Sequence, residues 1–229
     1  MWKSCVSVKE GYERWAPTYD RDPNPLLALE ERQLKLLILP LEGKRVLDLA
    51  CGTGRWLGRF MASGAAFGVG LDLSAPMLTM AQERAHVAGR LVQGDCRALP
   101  FANATFDLVV CSFAVGHIFE LQKVAHEVGR VAASRADVFM SDLHPLAYKQ
   151  GWRTRFHDHQ GAAEITAWSR SEQELVAAWL SAGFEYVQSV ECRVGEPERQ
   201  IFAQTGRAHL FDGVCRIPGI LILHFQRAN

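Results

Sequence analysis

Residues 46–56, which read VLDLACGTGRW, decide the fold of this chain. An apolar run typical of a buried strand leads into the small-residue turn Gly52-Thr53-Gly54, and the residues that follow have helical character. A strand, a glycine-rich turn and a helix in this order let a cofactor approach bare backbone, because glycine has no side chain in the way and tolerates positive φ. The stretch therefore predicts a cofactor-binding unit and leaves open which cofactor it binds.

Further strands and helices alternate along the chain after this unit. Strands are predicted at 45–50, 66–71, 90–93, 106–111, 137–141, 184–193 and 220–226, and helices at 55–63, 120–133, from the N-cap Ser74 to about residue 86, and from a capping box of Ser171 and Glu174 to about residue 181. This order predicts an α/β fold with a doubly wound, Rossmann-like sheet. We expect seven mostly parallel strands, an antiparallel C-terminal strand and helices on both faces.

The length suits a single α/β domain over residues 1–229, with a small cap. We expect a cofactor-binding core at 43–142, preceded by a helical flap at 1–42. The segments 143–170 and 194–219 would form a cap over a ligand. Within them, residues 143–168 and 195–219 show no clear period and are expected to be loops.

The N-terminal flap contains a cluster of aromatic residues. Tyr12, Trp15 and Tyr19 are spaced so that a helix would put them on one face, and a second helix is predicted at 26–39. The aromatic face would either dock onto the core or close over a ligand. The sequence leaves both alternatives open.

The overall composition narrows the classes of partner. Lys plus Arg and Asp plus Glu number 25 each, so the formal net charge is zero and bulk electrostatics favour no polyanion. We therefore expect no nucleic-acid partner. The N-terminal stretch MWKSCVSVKEGYERW lacks the apolar core of a signal peptide, and no apolar run is long enough to span a membrane. No membrane partner is expected.

The cysteines indicate the compartment. Six are scattered through the sequence without a C-x-x-C pair, and several lie in apolar runs where a thiol behaves as a small buried hydrophobe. Neither a disulfide framework nor a zinc site is expected, and a reducing compartment fits best. We expect a cytoplasmic protein that is a monomer or a homodimer.

The class of cofactor follows from what comes after the turn. The dinucleotide fingerprint G-x-G-x-x-G needs a third glycine where this chain has Leu57, and Gly58 comes one residue too late. Asp72, at the end of the second predicted strand, is placed to accept two ribose hydroxyls. The pattern indicates a nucleoside-containing ligand, and the missing glycine argues against a pyrophosphate.

Four motifs in order resemble those of a known family. They are residues 46–54 (VLDLACGTG), 70–74 (GLDLS), 94–101 (GDCRALPF) and 106–117. At these spacings the chain resembles the class I S-adenosylmethionine-dependent methyltransferases, in particular the branch that includes the ubiquinone/menaquinone C-methyltransferases and many small-molecule methyltransferases. Residues 12–20 (YERWAPTYD) are similar to the Y-D-x-x-A-x-x-Y-D segment of that branch. The resemblance covers residues 12–142.

The resemblance implies S-adenosylmethionine as cofactor, S-adenosylhomocysteine as product and a role for each matching residue. Asp48 and residues 50–54 would pass beneath the methionine part, and Tyr19 would close over its carboxylate. Asp72 would bind the ribose, Leu73 the adenine face and Asp95 the adenine amino group. The implied cofactor-binding set is Tyr12, Tyr19, Asp48, Ala50, Cys51, Gly52, Thr53, Gly54, Asp72, Leu73, Asp95, Cys96, Arg97, Ser112 and Phe113.

Two positions depart from the pattern of that family. Ala50 stands where the first glycine of the turn is usual, and residues 132–136 (AASRA) replace the usual Pro-Gly-Gly turn before the fifth strand. Both departures affect the expected shape of a turn and neither changes the expected fold.

Methyl transfer is an in-line displacement that depends on alignment, to which a protein can add a base and a dry pocket. His117, His144 and Asp142 follow predicted strands at the cofactor rim and are the catalytic candidates. For His117 the alternative is a structural histidine that holds its loop. No metal is expected, because His157 and His159 come without a third ligand.

The cap segments carry Arg153, Arg155, Arg207 and His209. These side chains would hold an anionic or carbonyl-bearing acceptor, or form a solvated surface. We predict methyl transfer from S-adenosylmethionine to an O, N or C atom of a small-molecule metabolite. The alternatives are an NAD(P)-dependent oxidoreductase and a non-catalytic S-adenosylmethionine-binding module.

Overall fold

The computed structural model describes residues 4–21, 23–38 and 40–229. In chain order the strands and α-helices are β1 (Ser4–Val6), α1 (Val8–Trp15), α2 (Pro25–Ile38), β2 (Arg45–Leu49), α3 (Arg55–Ala62), β3 (Phe67–Asp72), α4 (Ala75–Gln82), β4 (Leu91–Gln93), β5 (Phe106–Ser112), α5 (Leu121–Val131), β6 (Ala132–Leu143), α6 (Pro145–Lys149), β7 (Arg155–Asp158), β8 (Gly161–Ile165), α7 (Glu172–Leu180), β9 (Phe184–Cys192), α8 (Glu196–Gln204), α9 (Phe211–Val214) and β10 (Ile220–Arg227). Short 3₁₀ helices at Ala16–Thr18, Val115–His117 and Ala208–Leu210 connect some of them.

The main sheet has seven strands in the order β4-β3-β2-β5-β6-β10-β9. Strands β2 to β6 run parallel, and β10 is antiparallel to both of its neighbours, β6 and β9. The predicted fold class is confirmed. The chain leaves β2 towards β3 and later returns to the other side of β2 with β5, and ligands of such sheets bind where the order reverses, at the carboxyl ends of the strands.

The central strands are buried on both faces. In β5, Val109 and Cys111 belong to an apolar cluster with α5 and α7, whereas Leu108 and Val110 belong to a second cluster with α2 and α8. Successive side chains of a strand point to opposite faces, so a strand covered on both sides must be apolar at every position. This explains why residues 108–111 are all apolar, whereas Asp107, near the start of the strand, pairs with Arg45.

Several element boundaries differ from the sequence-based prediction. Strand β6 begins at Ala132, five residues before the expected start, with a register shift between Phe106 and Leu108 on the neighbouring strand. Helix α4 ends at Gln82, short of the predicted end near residue 86. Helix α2 ends at Ile38, and Leu39 lies outside the described residues. The capping box of Ser171 and Glu174 is present.

Residues 143–168 were expected to be an inserted loop or a cap, and the loop alternative was wrong. This segment forms α6 and the hairpin β7–β8, and β8 pairs in parallel with β1, so that a second sheet has the order β1-β8-β7. Val6, Phe156, Ala163 and Ile165 form its small buried core. Strands of three to five residues that pair across more than a hundred positions leave too little local periodicity to be recognised.

The prediction of a loop at residues 195–219 was also wrong. It contains α8, a 3₁₀ helix and α9. Helix α8 is held against α2 by the ion pair of Arg32 and the buried Glu198, and Phe202 and Phe211 meet edge to face at 5.5 Å between ring centroids. Much of what holds this helical segment in place is tertiary contact, which short helices need.

The aromatic residues of the flap serve both of the expected roles, docking onto the core and lining a ligand cavity. Helix α1 ends at Trp15, so Tyr19 follows a 3₁₀ helix and does not continue the helical face. Trp15 stacks on Phe156 at 5.5 Å between centroids, which docks the flap onto the second sheet. Tyr12 and Tyr19 instead line a cavity at the sheet edge.

Gly11 permits the close approach of α1 to the second sheet. A Cβ at this position would lie 2.7 Å from Cγ1 of Ile165 and 3.2 Å from Cγ2 of Val6, both buried. We expect Gly11→Ala to destabilise the flap by about 1–3 kcal/mol through overpacking. Hydrogen exchange measured by mass spectrometry should show faster exchange in peptides covering residues 4–21 and 155–165.

Gly213 provides the matched control, since a Cβ there would meet nothing within 4 Å in helix α9. Gly213→Ala should leave exchange unchanged or slow it slightly, because alanine favours a helix by about 1 kcal/mol over glycine. Equal exchange in the two variants would refute the close-packing role of Gly11.

Candidate active site

A cavity of about 410 Å³ lies at the carboxyl ends of β2, β3 and β5. Its wall is formed by the turn after β2, the ends of the strands and the flap. The residues of the expected cofactor-binding set that line it are Tyr12, Tyr19, Asp48, Ala50, Cys51, Gly52, Thr53, Asp72, Leu73, Asp95, Cys96, Arg97, Ser112 and Phe113. Gly54 belongs to the expected set and does not line the cavity.

The turn after β2 has an unusual backbone. Ala50, Gly52 and Gly54 have φ values of 54°, 53° and 73°, in the left-handed region. For Ala50 this conformation costs about 1–2 kcal/mol, since its Cβ crowds the following carbonyl. Gly54 is required by packing, because a Cβ there would lie 3.1 Å from Cγ1 of Val87. The strain at Ala50 lies on the cavity wall, where strained backbone is often functional.

The carboxylate of Asp72 is held rigidly at the end of β3. Its Oδ2 accepts from the Gly52 N–H at 2.7 Å, and its Oδ1 accepts from the Ser74 N–H at 2.8 Å. Each carboxylate oxygen has a second acceptor site, so the group can still accept hydrogen bonds from a ligand. Burial raises the pKa of Asp72 above its ordinary value, and the two backbone N–H groups oppose that rise.

Asp48 connects β2 to helix α3. The side chain is 2% exposed, and its Oδ2 accepts from the Leu57 N–H at 2.8 Å. Burial raises the pKa of Asp48 to about 7. The carboxyl group is therefore close to half-protonated at neutral pH, and a nearby cation would favour its ionised form.

Asp95 is already engaged by Arg97. The guanidinium of Arg97 donates to both carboxylate oxygens, with Nη2 2.6 Å from Oδ2, and its backbone N–H donates to Oδ1 at 2.9 Å. Arg97 also pairs with Glu120. The Arg97 guanidinium holds the pKa of Asp95 below its usual range. Asp95 therefore has few lone pairs left to accept a hydrogen bond from an adenine amino group. This weakens the adenine-binding role that the resemblance implies for it.

Arg55 is a site residue that the sequence reasoning missed. It lines the cavity, and its Nη2 donates to the carboxylate of Glu30 and, at 3.0 Å, to Oγ of Ser112. Its Nη1 is buried and has no hydrogen-bond partner among the described residues. A buried donor left unpaired costs about 1–3 kcal/mol, so such a group calls for an acceptor that a ligand would supply.

The position of Arg55 in the sequence could have identified it as a site residue. It is the first residue of helix α3, directly after the glycine turn. Because Cβ atoms of a helix tilt towards its N-terminus, a long side chain at this position reaches back towards the cavity.

A polar latch holds the flap against the glycine turn. Oγ1 of Thr53 donates to Asp20 at 3.1 Å, and Arg84 bridges the two by donating to Asp20 at 2.7 Å and to the Thr53 carbonyl at 2.9 Å. Burial raises the pKa of Tyr19 to about 12 and that of Tyr12 well above its usual value. Both phenols on the flap therefore remain protonated donors at neutral pH.

His117 lies on the cavity wall with both ring nitrogens engaged. Nδ1 is 2.8 Å from the Thr166 carbonyl, which can only accept, so Nδ1 carries the proton of the neutral ring. Nε2 then faces Oγ1 of Thr154 at 3.3 Å as an acceptor. The ring meets Tyr12 edge to face at 5.4 Å. The arrangement combines a structural contact at Nδ1 with a basic lone pair at Nε2.

The other two catalytic candidates are not on this wall. Asp142 accepts from the N–H groups of Gly116 at 2.5 Å and Leu143 at 2.7 Å and lines a smaller cavity of about 40 Å³ together with His117. His144 caps helix α6, with Nδ1 accepting from the Leu146 N–H at 3.1 Å. Neither side chain lines the 410 Å³ cavity. The carboxyl ends of the strands lie at one edge of the sheet, but the packing around each side chain decides whether it faces the cavity.

Several lining residues lie outside the sequence motifs. They are Ser7, Val8, Lys9, Met77, Ile118, Phe119 and Trp168. Trp168 reaches the cavity through a hydrogen bond from its backbone N–H to the Gly116 carbonyl at 2.7 Å. Contacts of this kind join segments distant in sequence, and residue spacing does not reveal them.

Within residues 4–21, 23–38 and 40–229, no three His, Cys, Asp or Glu side chains are grouped to hold a metal ion. Asp158, between the two histidines of residues 157–159, pairs with Arg14 at 2.8 Å. All six cysteines are free thiols. No helix in the described part of the chain is both long and apolar enough to cross a membrane.

Comparison with known families and proteins identifies relatives of this chain. Residues 46–135 match the family described as "Methyltransferase domain". The chain is 31% identical to the demethylmenaquinone methyltransferase of Lactiplantibacillus plantarum, over 79% of this chain and 89% of the relative. It is 32% identical to the malonyl-[acyl-carrier protein] O-methyltransferase of Erwinia billingiae, over 60% of this chain but only 53% of that relative.

Solved structures share the fold. An S-adenosylmethionine-dependent methyltransferase from Mesorhizobium loti superposes with a TM-score of 0.70 at 21% identity, over 89% of this chain and 100% of that one. The [4+2]-cyclase SpnF superposes with a TM-score of 0.65 at 16% identity, over 100% and 99% of the two chains. At these identities the likeness concerns the fold alone.

The matched domain and the relatives identify an enzyme of the methyltransferase class. The sequence relationships narrow this further: the chain belongs to the class I S-adenosylmethionine-dependent methyltransferases, and its cofactor is S-adenosylmethionine. The orphaned Nη1 of Arg55 and the clamped carboxylate of Asp72 fit the two ends of this cofactor, an amino-acid carboxylate and a ribose.

The raised pKa of Asp48 predicts a pH dependence of stability. Between an unfolded pKa near 4 and the folded pKa of about 7, the folded protein binds a proton that the unfolded chain does not. The contribution of Asp48 to the free energy of unfolding therefore declines as pH rises to 7. Relative to Asp48→Asn, wild type should lose about 2 kcal/mol between about pH 5 and pH 8 in urea unfolding.

Asp107→Asn is the control for this measurement. The Arg45 guanidinium holds the pKa of Asp107 below its usual range, so its titration ends below pH 5. The difference between wild type and Asp107→Asn should stay constant over the same pH range. Parallel curves for wild type and Asp48→Asn would contradict the elevated pKa.

Proposed function

We propose that the 410 Å³ cavity binds S-adenosylmethionine with its methionine end at Arg55 and its nucleoside end at Asp72. The observation that carries this orientation is the buried Nη1 of Arg55, a donor without a partner among the described residues. A carboxylate is the anion that a guanidinium binds best. Tyr19, whose phenol stays protonated, adds a second donor to the same end.

The nucleoside end rests on β3 and the loop after β4. Asp72 would accept the two ribose hydroxyls with the lone pairs that Gly52 and Ser74 leave free. Leu73 is 47% exposed on the cavity wall and would cover one face of the adenine. Cys96 would face the ring from the other side; burial raises its pKa to about 12, so it stays a thiol.

The reaction consists of one displacement. The cofactor supplies a methyl group on a positively charged sulfur. The acceptor atom forms a bond to the methyl carbon, and the electron pair of the broken carbon–sulfur bond stays on sulfur. The protein aligns the two partners and excludes water, for which the latch of Asp20, Thr53 and Arg84 keeps the flap in place.

The proton lost by an O or N acceptor has a route to His117. Thr154 places its hydroxyl between that histidine and the adjoining space of the cap. Nε2 of His117 would accept the Thr154 proton while Thr154 accepts the proton of the acceptor. His117 is then the base of the site, and His144 and Asp142 support the rim from outside the cavity.

We propose a small-molecule metabolite as the acceptor. The relatives differ in the atom that their names say they methylate. One is named as an O-methyltransferase. Another, from Cereibacter sphaeroides, is named as a phosphatidylethanolamine N-methyltransferase and is 32% identical over 68% of this chain and 79% of the relative. The free cysteines support a reducing compartment such as the cytoplasm. The zero net charge argues against a polyanionic partner.

Two rival functions are less well supported. A nicotinamide-dependent oxidoreductase would need room for a pyrophosphate beside the turn, where Leu57 is fully buried against Ala81 and Val87. A binding module that transfers no methyl group would have the same cavity as the enzyme and would differ from it only in lacking activity. Incubation with methyl-labelled cofactor and a metabolite panel separates these functions: label transfer supports the enzyme, and binding without transfer to any acceptor supports the module.

The ribose clamp gives a direct test. Asp72→Asn keeps the volume but supplies one acceptor oxygen in place of two, so calorimetry should show binding of S-adenosylhomocysteine weakened by about 10- to 100-fold. Asp107→Asn, which loses a carboxylate bound to Arg45 at the opposite edge of the sheet, should bind normally. Unchanged affinity in Asp72→Asn would reject the proposed site.

The methionine end has its own test. Arg55→Lys keeps a positive charge beside Glu30 but removes the planar fork, so S-adenosylhomocysteine should bind about tenfold more weakly. 5′-Methylthioadenosine has no amino-acid carboxylate, so its affinity should stay the same. An equal loss for both ligands would mean that the substitution disturbs the whole cavity and that Arg55 does not bind the carboxylate.

A further inference from the structure

A second cavity, of about 580 Å³, adjoins the first. Tyr12, Tyr19 and Phe113 line both cavities and form the wall between them. The rest of the second cavity is lined by the start of α2, by residues 151–157 and by the helical segment 194–214. These are parts of the chain that the matched family region, residues 46–135, does not include.

The lining of the second cavity is aromatic, apolar and positively charged. Its aromatic residues are Tyr12, Trp15, Tyr19, Phe113, Trp152 and Phe202. Arg153, Arg155 and Arg207 also line it, whereas no Asp or Glu of the described residues does. In a chain with equal numbers of acidic and basic residues, this is a strong local imbalance. The first cavity differs, because both signs of charge lie on its wall: Asp48, Asp72 and Asp95 beside Lys9, Arg55 and Arg97.

Arg153 is held in place and only partly neutralised. It donates through Nη1 to the carbonyls of Tyr148 and Trp152, both at 2.7 Å, and its guanidinium lies 3.8 Å from the Tyr148 ring centroid. Glu164 lies 3.7 Å from Nε of Arg153 and closer to Arg155, at 2.9 Å, so its carboxylate does not belong to Arg153 alone.

The third arginine adds further positive charge. Arg207, at the end of the turn after α8, is exposed, and its guanidinium has no hydrogen bond or ion pair with the described residues. An arginine fork in this state binds carboxylates and phosphate-type anions well.

We propose that the second cavity binds the methyl acceptor, and that this acceptor is a small molecule with a flat apolar body and one anionic group held by Arg153 and Arg207. The proposal rests on the proposed function for its methyl donor. Aromatic walls favour a flat body, since rings pack by stacking or edge to face. The arginines supply the anion specificity.

The residues that line both cavities determine how the acceptor is oriented. The arginines line the second cavity alone, whereas Tyr12, Tyr19 and Phe113 line both. The anionic group therefore lies away from the methyl donor, and the atom that receives the methyl group lies at the shared wall, beside Thr154. The anion is a recognition element and is not itself methylated.

A pair of fluorescent probes tests the anion specificity. 8-Anilinonaphthalene-1-sulfonate and N-phenyl-1-naphthylamine have the same aromatic body and differ by the sulfonate. Both are titrated in the presence of saturating S-adenosylhomocysteine, which occupies the first cavity. We expect wild type to bind the sulfonate about tenfold more tightly than the neutral probe.

Charge variants give effects of opposite sign. Arg207→Gln should weaken binding of the sulfonate by about fivefold and leave the neutral probe unchanged. Glu164→Gln, which removes the carboxylate 3.7 Å from Arg153, should strengthen binding of the sulfonate. Arg135→Gln removes an equal charge at a site that does not line the cavity and should have no effect.

Each contrary result overturns the proposal. Equal affinity for the two probes, equal losses in Arg207→Gln and Arg135→Gln, or displacement of the sulfonate by S-adenosylhomocysteine would each show that the cavity does not select an anion. Stronger displacement of the bound probe by decanoate than by 2-naphthoate would refute the flat body. If S-adenosylhomocysteine fails to bind in calorimetry while the probe pattern holds, the methyl-transfer function fails and the anion selectivity stands.

Discussion

The buried carboxylate of Glu30 is the interaction on which the geometry of the rim depends. It extends from α2 into the core, where it accepts from Arg55, from Nε1 of Trp56 and from the hydroxyls of Ser112 and Ser141. One side chain that is 0% exposed thus joins the flap, the start of α3 and the ends of β5 and β6. A buried charge pair adds little net stability but is costly to break, by about 3–5 kcal/mol, so it fixes the positions of these elements strongly.

The two cavities differ in charge on either side of one aromatic wall. Acidic and basic side chains both line the first, whereas arginines and no carboxylate of the described residues line the second. Phe113 belongs to the wall and has a φ of 51°, a left-handed conformation that costs about 1–2 kcal/mol outside glycine. The tertiary structure therefore sustains strain at Ala50 and at Phe113, both of which line the first cavity.

The core of the fold was predictable because its signals are local. Strands buried on both faces are apolar at most positions, and the turn after β2 is made of small residues, so residues 46–54 and 106–111 indicate two central strands of the sheet. The cap was not predictable. The hairpin β7–β8 depends on pairing with β1, and α8 depends on the ion pair of Arg32 with Glu198. Contacts of this range leave no period in the sequence.

The sequence by itself determined the sheet, the glycine turn and the class of cofactor, because strand ends and turns are encoded by spacing over a few residues. Only the tertiary structure decided which side chains reach the ligands. It left Asp142 and His144 out of the wall of the first cavity, placed Arg55 in that wall and built a second, positively charged cavity from segments far apart in the chain. The direction of a side chain depends on what packs around it, and those neighbours are brought together only by folding.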